Sequence, residues 1–523
     1  MTIFGLCKQS ARGTIALVIS VAVGYRVYQF TYPASLIGMD PDKVAVAVQR
    51  LIDYGFQSAI SELPFYAEMA GFHVYAAMFG MVSGLDGHDA IVIMPVMIGV
   101  TLPLFIALIA RSIATSERGL ATVLGAGLAS VGTISIHYAT APIPQTLATG
   151  AFVVFVYSTM RFQATERKEY FPILMLSLFL LAYSHKLGVL VAILGLIIGW
   201  VISHIQNQID RTVSWQPLSS TPLLLATIAL SFQWVFVSNF GVYVMLEPVR
   251  ALLHSPDPAF LDQVVPTAAV DPTPGIGWGL ATRVNQLVLL GCAAIAGFVY
   301  LFAKSTINRS QLLGFVAGSS LLVPIGVASS STPGLIRIML IGEPVLLALI
   351  AVAIAGLFRH NLPSRTVTNA GIAAILVLIV TSQVAVPAAT PDHPLSSRHY
   401  LTEGEVVAKQ FAYDNTETTT PIHVDYYYAR EIVDFDRDGL TYTTGGNAAF
   451  PDGFSPVSNP IVMGGYPEKQ YNYTLIRPGH KTYRTGVGIY RILYSLGNEF
   501  DATRGQSKVY NNGDGALYTS PLG

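Results

Sequence analysis

The stretch Thr14-Ile-Ala-Leu-Val-Ile-Ser-Val-Ala-Val-Gly-Tyr-Arg-Val-Tyr-Gln-Phe-Thr-Tyr32 decides the class of this chain, and Gly38-Met39-Asp40-Pro41-Asp42, just beyond it, points to where chemistry belongs. The first is close to the ~20 apolar residues that a helix needs to cross a bilayer. Lys8 and Arg12 precede it, which predicts a cytoplasmic N-terminus. It is too long for the apolar region of a signal peptide and has no small-x-small cleavage site before Tyr32, so it reads as a retained signal anchor. The second stretch then sets two carboxylates at the external mouth of the first span.

Composition agrees. The chain has 523 residues, 52% hydrophobic and only 12% charged, with a mean hydropathy of +0.52; a soluble protein carries about 25% charged residues. Further apolar runs at residues 90–110, 119–136, 146–160, 171–183, 187–202, 223–240, 281–302, 312–327, 335–357 and 370–386 predict a polytopic α-helical membrane protein with about 11 transmembrane helices. Arg111 and Arg118, Arg161, Arg167 and Lys168, Arg211, Lys304 and Arg309, and Arg359 and Arg365 fall at every second connection. This alternation places the N-terminus inside and the C-terminus outside. The net charge of −1 is divided between two aqueous sides rather than gathered in one basic patch, so it says nothing of nucleic acid, and no nucleic-acid partner is expected. Cys7 and Cys292 cannot make a disulfide framework.

The predicted organisation is a transmembrane domain over residues 1–389, with external loops at 33–89 and 239–280, and an external soluble domain over 390–523. In the first loop, residues 41–53 alternate apolar Val44, Val46, Val48 and Leu51 with polar groups, as an amphipathic helix on a membrane surface does, with Asp42 at its N-terminal end. Residues 65–82, interrupted by Glu68 and His73, read as a juxtamembrane or re-entrant helix. The proline-rich loop 239–280 reads as a lid or binding loop. Beyond Val386 hydrophobicity collapses, and strand-like runs at 422–428 and 487–494 predict an α/β or mostly β domain.

Two acidic residues flanking Pro41 can face one pocket where the chain turns. Such a pair serves as a general base oriented by its neighbour, or as part of a ligand set for Mg²⁺ or Mn²⁺; as an alternative, Asp42 is an N-cap and Asp40 a solvated loop residue. Lys186, Arg250, Arg283 and Arg337 break the charge rule and sit at external span ends, on the side of Asp40 and Asp42. Snorkelling to lipid headgroups explains any one of them; four on the face that bears the carboxylates suggest an anion site.

The order of these elements carries a resemblance. An N-in span, an Asp-x-Asp in the first external loop, Pro64-Phe65-Tyr66, Gly71-Phe72-His73, Gly84-Leu85 and a span ending Leu108-Ile109-Ala110-Arg111 follow one another. The chain resembles the GT-C superfamily of integral membrane glycosyltransferases that use polyprenyl-phosphate-linked sugars. Its ending, Lys508-Val-Tyr-Asn-Asn-Gly-Asp-Gly-Ala-Leu-Tyr518, is similar to those of archaeal and bacterial members. The resemblance implies a polyprenyl or dolichyl-phosphate sugar donor, and a glycan, glycolipid or glycoprotein acceptor at the membrane lipids' external face. It implies that Asp40 or Asp42 activates the acceptor or holds a divalent cation. The departing phosphate needs cations in a dry site, for which Arg337 ranks first, His185-Lys186 second, then Arg250 and Arg283; Glu62, Glu68 and His73 are acceptor-binding candidates. The Trp-Trp-Asp-Tyr-Gly signature of oligosaccharyltransferases is absent, since Trp200, Trp215, Trp234 and Trp278 are isolated, so addition of a single sugar is expected. A transporter or flippase for a lipid-linked saccharide would place ionisable groups in mid-span, whereas here they sit mainly at span ends, with Glu343 the main exception; a non-catalytic scaffold leaves the acidic pair and external cations unexplained.

Overall fold

A computed structural model of the chain describes residues 11–31, 34–36, 41–56, 70–115, 117–132, 142–185, 187–209, 218–237, 270–271, 284–302, 306–321, 333–357, 370–371, 373–379, 381, 400–416, 422–424, 454–456, 473–478, 482–484, 489–492 and 507–519. They form two compact units: Met1–Gln29, Ala47–Glu247 and Val284–Gln383 make one, and Phe30–Val46, Pro248–Arg283 and Val384–Gly523 the other.

The first unit is helical. Helices form in the apolar runs: α1 (Ala11–Thr31), then, beyond α2 (Pro41–Tyr54) and α3 (Gly71–Ser83), α4 (Gly87–Ile113), α5 (Arg118–Val131), α6 (Pro144–Thr165), α7 (Tyr170–Ser184), α8 (Gly188–Ile209), α9 (Thr221–Ser231), α10 (Val284–Leu301), α11 (Ile307–Leu321) and α12 (Pro333–Leu357). Among the described residues, Gly87–Ile113 and Gly188–Gln208 are long and apolar enough to cross a membrane, and shorter apolar helices accompany them. Their ends follow local chemistry. Asp86 caps α4 by accepting from the Asp89 N–H at 2.8 Å, Pro144 opens α6 where its missing N–H costs nothing, and Gly84 closes α3 in the left-handed conformation at φ 73°.

One continuous core joins α4 to α12, with Phe152, Phe155 and Phe315 fully buried at its centre. Phe315 meets Phe152 and Phe155 edge to face at centroid distances of 6.0 and 6.3 Å. Beside it, α8 and α11 cross so closely that a Cβ on Gly318 would lie 2.6 Å from the Gly195 nitrogen. A Cβ on Gly314 would strike the backbone of Gly199 and the Gly195 carbonyl oxygen. Two Gly-x-x-x-Gly faces, Gly195/Gly199 and Gly314/Gly318, thus let the backbones meet.

The second unit carries the strands. A five-stranded sheet runs β3 (Phe454–Pro456), β2 (Ile422–Val424), β4 (Tyr473–Ile476), β8 (Ala516–Thr519), β7 (Ser507–Asn511), parallel around β2 and antiparallel from β4 onward. A second sheet pairs β1 (Val270–Asp271), β6 (Ile489–Ile492) and β5 (Thr482–Arg484) antiparallel. Helix α13 (Glu403–Asn415) begins in a complete capping box between Thr402 and Glu405 and contributes Ala408 and Ala412 to a core shared with Leu401, Ile422, Leu475 and Leu517.

The amphipathic segment of the first loop departs from expectation. Helix α2 forms, but Val44, Ala45, Val46, Ala47 and Val48 are all buried. Five consecutive helical residues cover the whole circumference at about 100° each, so this half of α2 packs inside protein and leaves no face for a membrane surface. The helix starts at Pro41, which puts Asp42 inside the first turn rather than at the N-cap.

Candidate functional site

Asp42 is the described member of the acidic pair. It is 2% exposed, in the first turn of α2, where the unpaired N–H groups of the helix start favour negative charge. Asp40, Glu62, Glu68, Lys186, Arg250 and Arg283 lie outside the described residues. Arg337 is the fifth residue of α12; its backbone is described and its side chain is not.

Within the first unit, the structure brings the helices bearing His73 and His185 together. Gly71, opening α3, packs so tightly against α7 that a Cβ there would sit 2.8 Å from the Tyr183 carbonyl oxygen. His73, two residues on, is buried against Phe72 at a centroid distance of 6.0 Å. Burial lowers its pKa to about 4, so the ring is neutral at neutral pH and acts there as a hydrogen-bonding group. His185 follows the last residue of α7, and its Nδ1 accepts from the Leu187 N–H at 3.3 Å.

Sequence reasoning missed the residue that holds this corner. Gln233 sits in a π-helical turn, Phe232–Val237, continuing from α9. Its side-chain amide donates to the Ala182 carbonyl and, at 3.2 Å, to the His185 carbonyl. It thereby pins the segment that leads into Lys186. π-Turns recur at functional positions, but a lone Gln in an apolar run gives no signal of its own. Arg26 was also missed: it lies inside α1, is fully buried, donates to the Ala22 carbonyl at 2.9 Å and packs over Gly99.

A group able to hold a metal ion is described among other residues than the predicted pair. Asp86, His88 and Asp89, around the start of α4, present ligand atoms within 4.8 Å of one another. His88 Nδ1 lies 3.2 Å from Asp89 Oδ1, and the Gly87 N–H donates to Gln49 Oε1 of α2 at 2.6 Å. One imidazole with two carboxylates suits Mn²⁺ or Zn²⁺ better than Mg²⁺.

No family model matches the chain, and no curated protein matches it in sequence. Among solved structures, apo ArnT from Cupriavidus metallidurans aligns with a TM-score of 0.50 at 10% identity, covering 98% of this chain and 98% of that one. The chain has the GT-C fold. The resemblance read from the order of elements holds at the level of architecture, and the long apolar helices among the described residues agree with a membrane location. The oligosaccharyltransferase of Archaeoglobus fulgidus, tethered with an acceptor peptide, aligns at a TM-score of 0.48 and 13% identity over 79% of this chain. This GT-C chain spans only 62% of that enzyme's length. The mycobacterial arabinofuranosyltransferase AftD aligns at 0.46 and 12% identity, over 97% of this chain and 41% of its own. The Cupriavidus metallidurans protein has also been solved bound to undecaprenyl phosphate.

Proposed function

We propose that this GT-C protein transfers a single sugar from a polyprenyl (dolichyl) phosphate-linked donor to a glycan, lipid or protein acceptor on the external face of the membrane. The observation that carries the reading is a buried carboxylate, Asp42, in the first turn of the helix that follows the first span, within a chain of GT-C fold. The acceptor hydroxyl gives its proton to Asp40 or Asp42 while its oxygen bonds to the anomeric carbon. The bond from that carbon to the phosphate oxygen breaks, and its electron pair leaves with the lipid phosphate. Arg337, with Lys186 and His185, meets the charge growing on the phosphate; Arg250 and Arg283 are further cations for the same role. Glu62, Glu68 and His73 bind the acceptor, His73 as a neutral ring.

A divalent cation, Mg²⁺ or Mn²⁺, belongs to the proposal with Asp40 and Asp42 as ligands; when bound it supplies positive charge beside the reacting oxygens. The missing Trp-Trp-Asp-Tyr-Gly stretch favours one sugar over transfer of a whole oligosaccharide to asparagine.

The test is a mass comparison of surface glycans, glycolipids and glycoproteins with and without the chain, and then with Asp40→Asn, Asp42→Asn and the pair. Loss of one hexose-sized increment on deletion, with neither single variant restoring it although both insert in the membrane, is the expected result. Full transfer by the double variant would sink the mechanism.

A further inference from the structure

We propose that Ser35 is a positioning residue for the carboxylate segment, and that through it the C-terminal part of the chain acts directly on transfer. The activity half of this inference rests on the function proposed above. Residues 30–46, which contain Asp40 and Asp42, belong to the same compact unit as residues 384–523. A hydrogen bond ties them across 366 positions of sequence: Ser35 Oγ accepts from the Leu401 N–H at 2.8 Å.

The anchor end of that tie is rigid. Leu401 is fully buried in the small core with Ile422, Leu475 and Leu517. Its neighbour Thr402 caps α13, accepting from the Glu405 N–H at 3.2 Å and donating to Asp514 Oδ2 at 2.9 Å. The Glu405 side chain accepts in turn from the Thr402 N–H at 2.9 Å, and it lies 4.0 Å from Arg477. Asn512 of the β7–β8 turn donates to the Gly404 carbonyl at 2.7 Å. Ser35 is therefore attached to a spot held by a capping box, a strand turn and an ion pair.

At the other end, Leu36 is buried and the chain then enters α2 at Pro41, with Asp42 next. A carboxylate that takes a proton in the transition state has to be held within about 0.5 Å of its working position. The Ser35 contact supplies a fixed point just ahead of the pair. Removing the hydroxyl leaves the Leu401 N–H without its acceptor, whereas threonine keeps an Oγ in place.

The experiment uses the full-length chain in lipid nanodiscs and compares wild type, Ser35→Ala and Ser35→Thr by amide hydrogen exchange over residues 36–54 and by transfer kinetics. In Ser35→Ala, exchange over that segment is expected to rise about tenfold and kcat to fall about tenfold, with donor KM within about twofold. Ser35→Thr is expected to restore both. Unchanged exchange in Ser35→Ala, unchanged kcat despite faster exchange, or a threonine variant as impaired as alanine would each overturn the positioning role. A wild-type chain that transfers no sugar overturns the proposed function, and the exchange result then decides the tie alone.

Discussion

The helical unit and the strand-bearing unit are held together by different physics, seen most plainly at α8–α11 and around α13. Where α8 meets α11, four glycines bring backbone onto backbone, and Phe315 fills the space beside them. Around α13, a few apolar side chains make the core, and the polar groups at its edge are each satisfied by a cap or partner. This is the contrast expected of helices packed in lipid and strands packed in water. Lipid tails are as apolar as leucine, so helices in a bilayer gain little from hiding apolar surface and pair by close approach; in water, apolar burial drives association and buried polar groups need partners. In the helical unit burial holds His73 neutral, while in the other Glu405 lies 4.0 Å from Arg477.

The largest effect should come from breaking the close approach. Gly314→Val places a side chain against the backbone of Gly199, which cannot rotate away, and is expected to cost at least about 4 kcal/mol. Thermal unfolding in nanodiscs checks this, with Gly127→Ala, where a Cβ meets nothing within 4 Å, as a neutral control on a nearby helix. Breaking the other unit instead, Leu475→Ala empties a fully buried position and should cost about 3 kcal/mol; protection of the strand amides should fall while that of α8 and α11 stays. A stability loss shared equally by both units would refute the contrast.

Acidification sharpens it further. His73 has a folded pKa of about 4 against 6.5 for the free side chain. Between those values the unfolded chain binds more protons, so stability is complete above pH 6.5 and is lost as pH falls toward 4. Going from pH 7.5 to 5 should remove about 2 kcal/mol through this group, and His73→Gln should flatten that part of the profile. The smallest effect belongs to the cap of α13: Thr402→Ala deletes the side-chain half of the capping box and is expected to cost about 1 kcal/mol, visible as faster exchange in the first turn of that helix.

What could be read without coordinates varied with the range of the interaction. Apolar runs announced the helices of the bundle, though not their exact ends, because hydropathy is a local property: the runs at 187–202 and 335–357 needed no partner to be seen, and the helices there are Gly188–Ile209 and Pro333–Leu357. Helix α2 was visible as a helix but misjudged in its surroundings, since a mixed pattern of valines and charges fits a membrane surface and a protein interior equally well; the burial of Val44 through Val48 separates the two. The candidate site was legible as residue types, with Asp42 and His185 among them, but Gln233 was not: its role rests on the carbonyls of Ala182 and His185 being within reach, 51 and 48 positions away.

By itself, then, the sequence determined that this is a chain of apolar helices with an acidic pair after the first of them, and through the order of its motifs it pointed to the GT-C architecture. Both follow from composition and succession along the chain, which need no folding to be read. Tertiary structure alone decided that Gly199 and Gly314 are the point of contact between two helices, that Asp42 is buried, and that Ser35 is bonded to Leu401. Each of these joins residues with no local signal for one another, and only the folded chain brings them within a few ångströms.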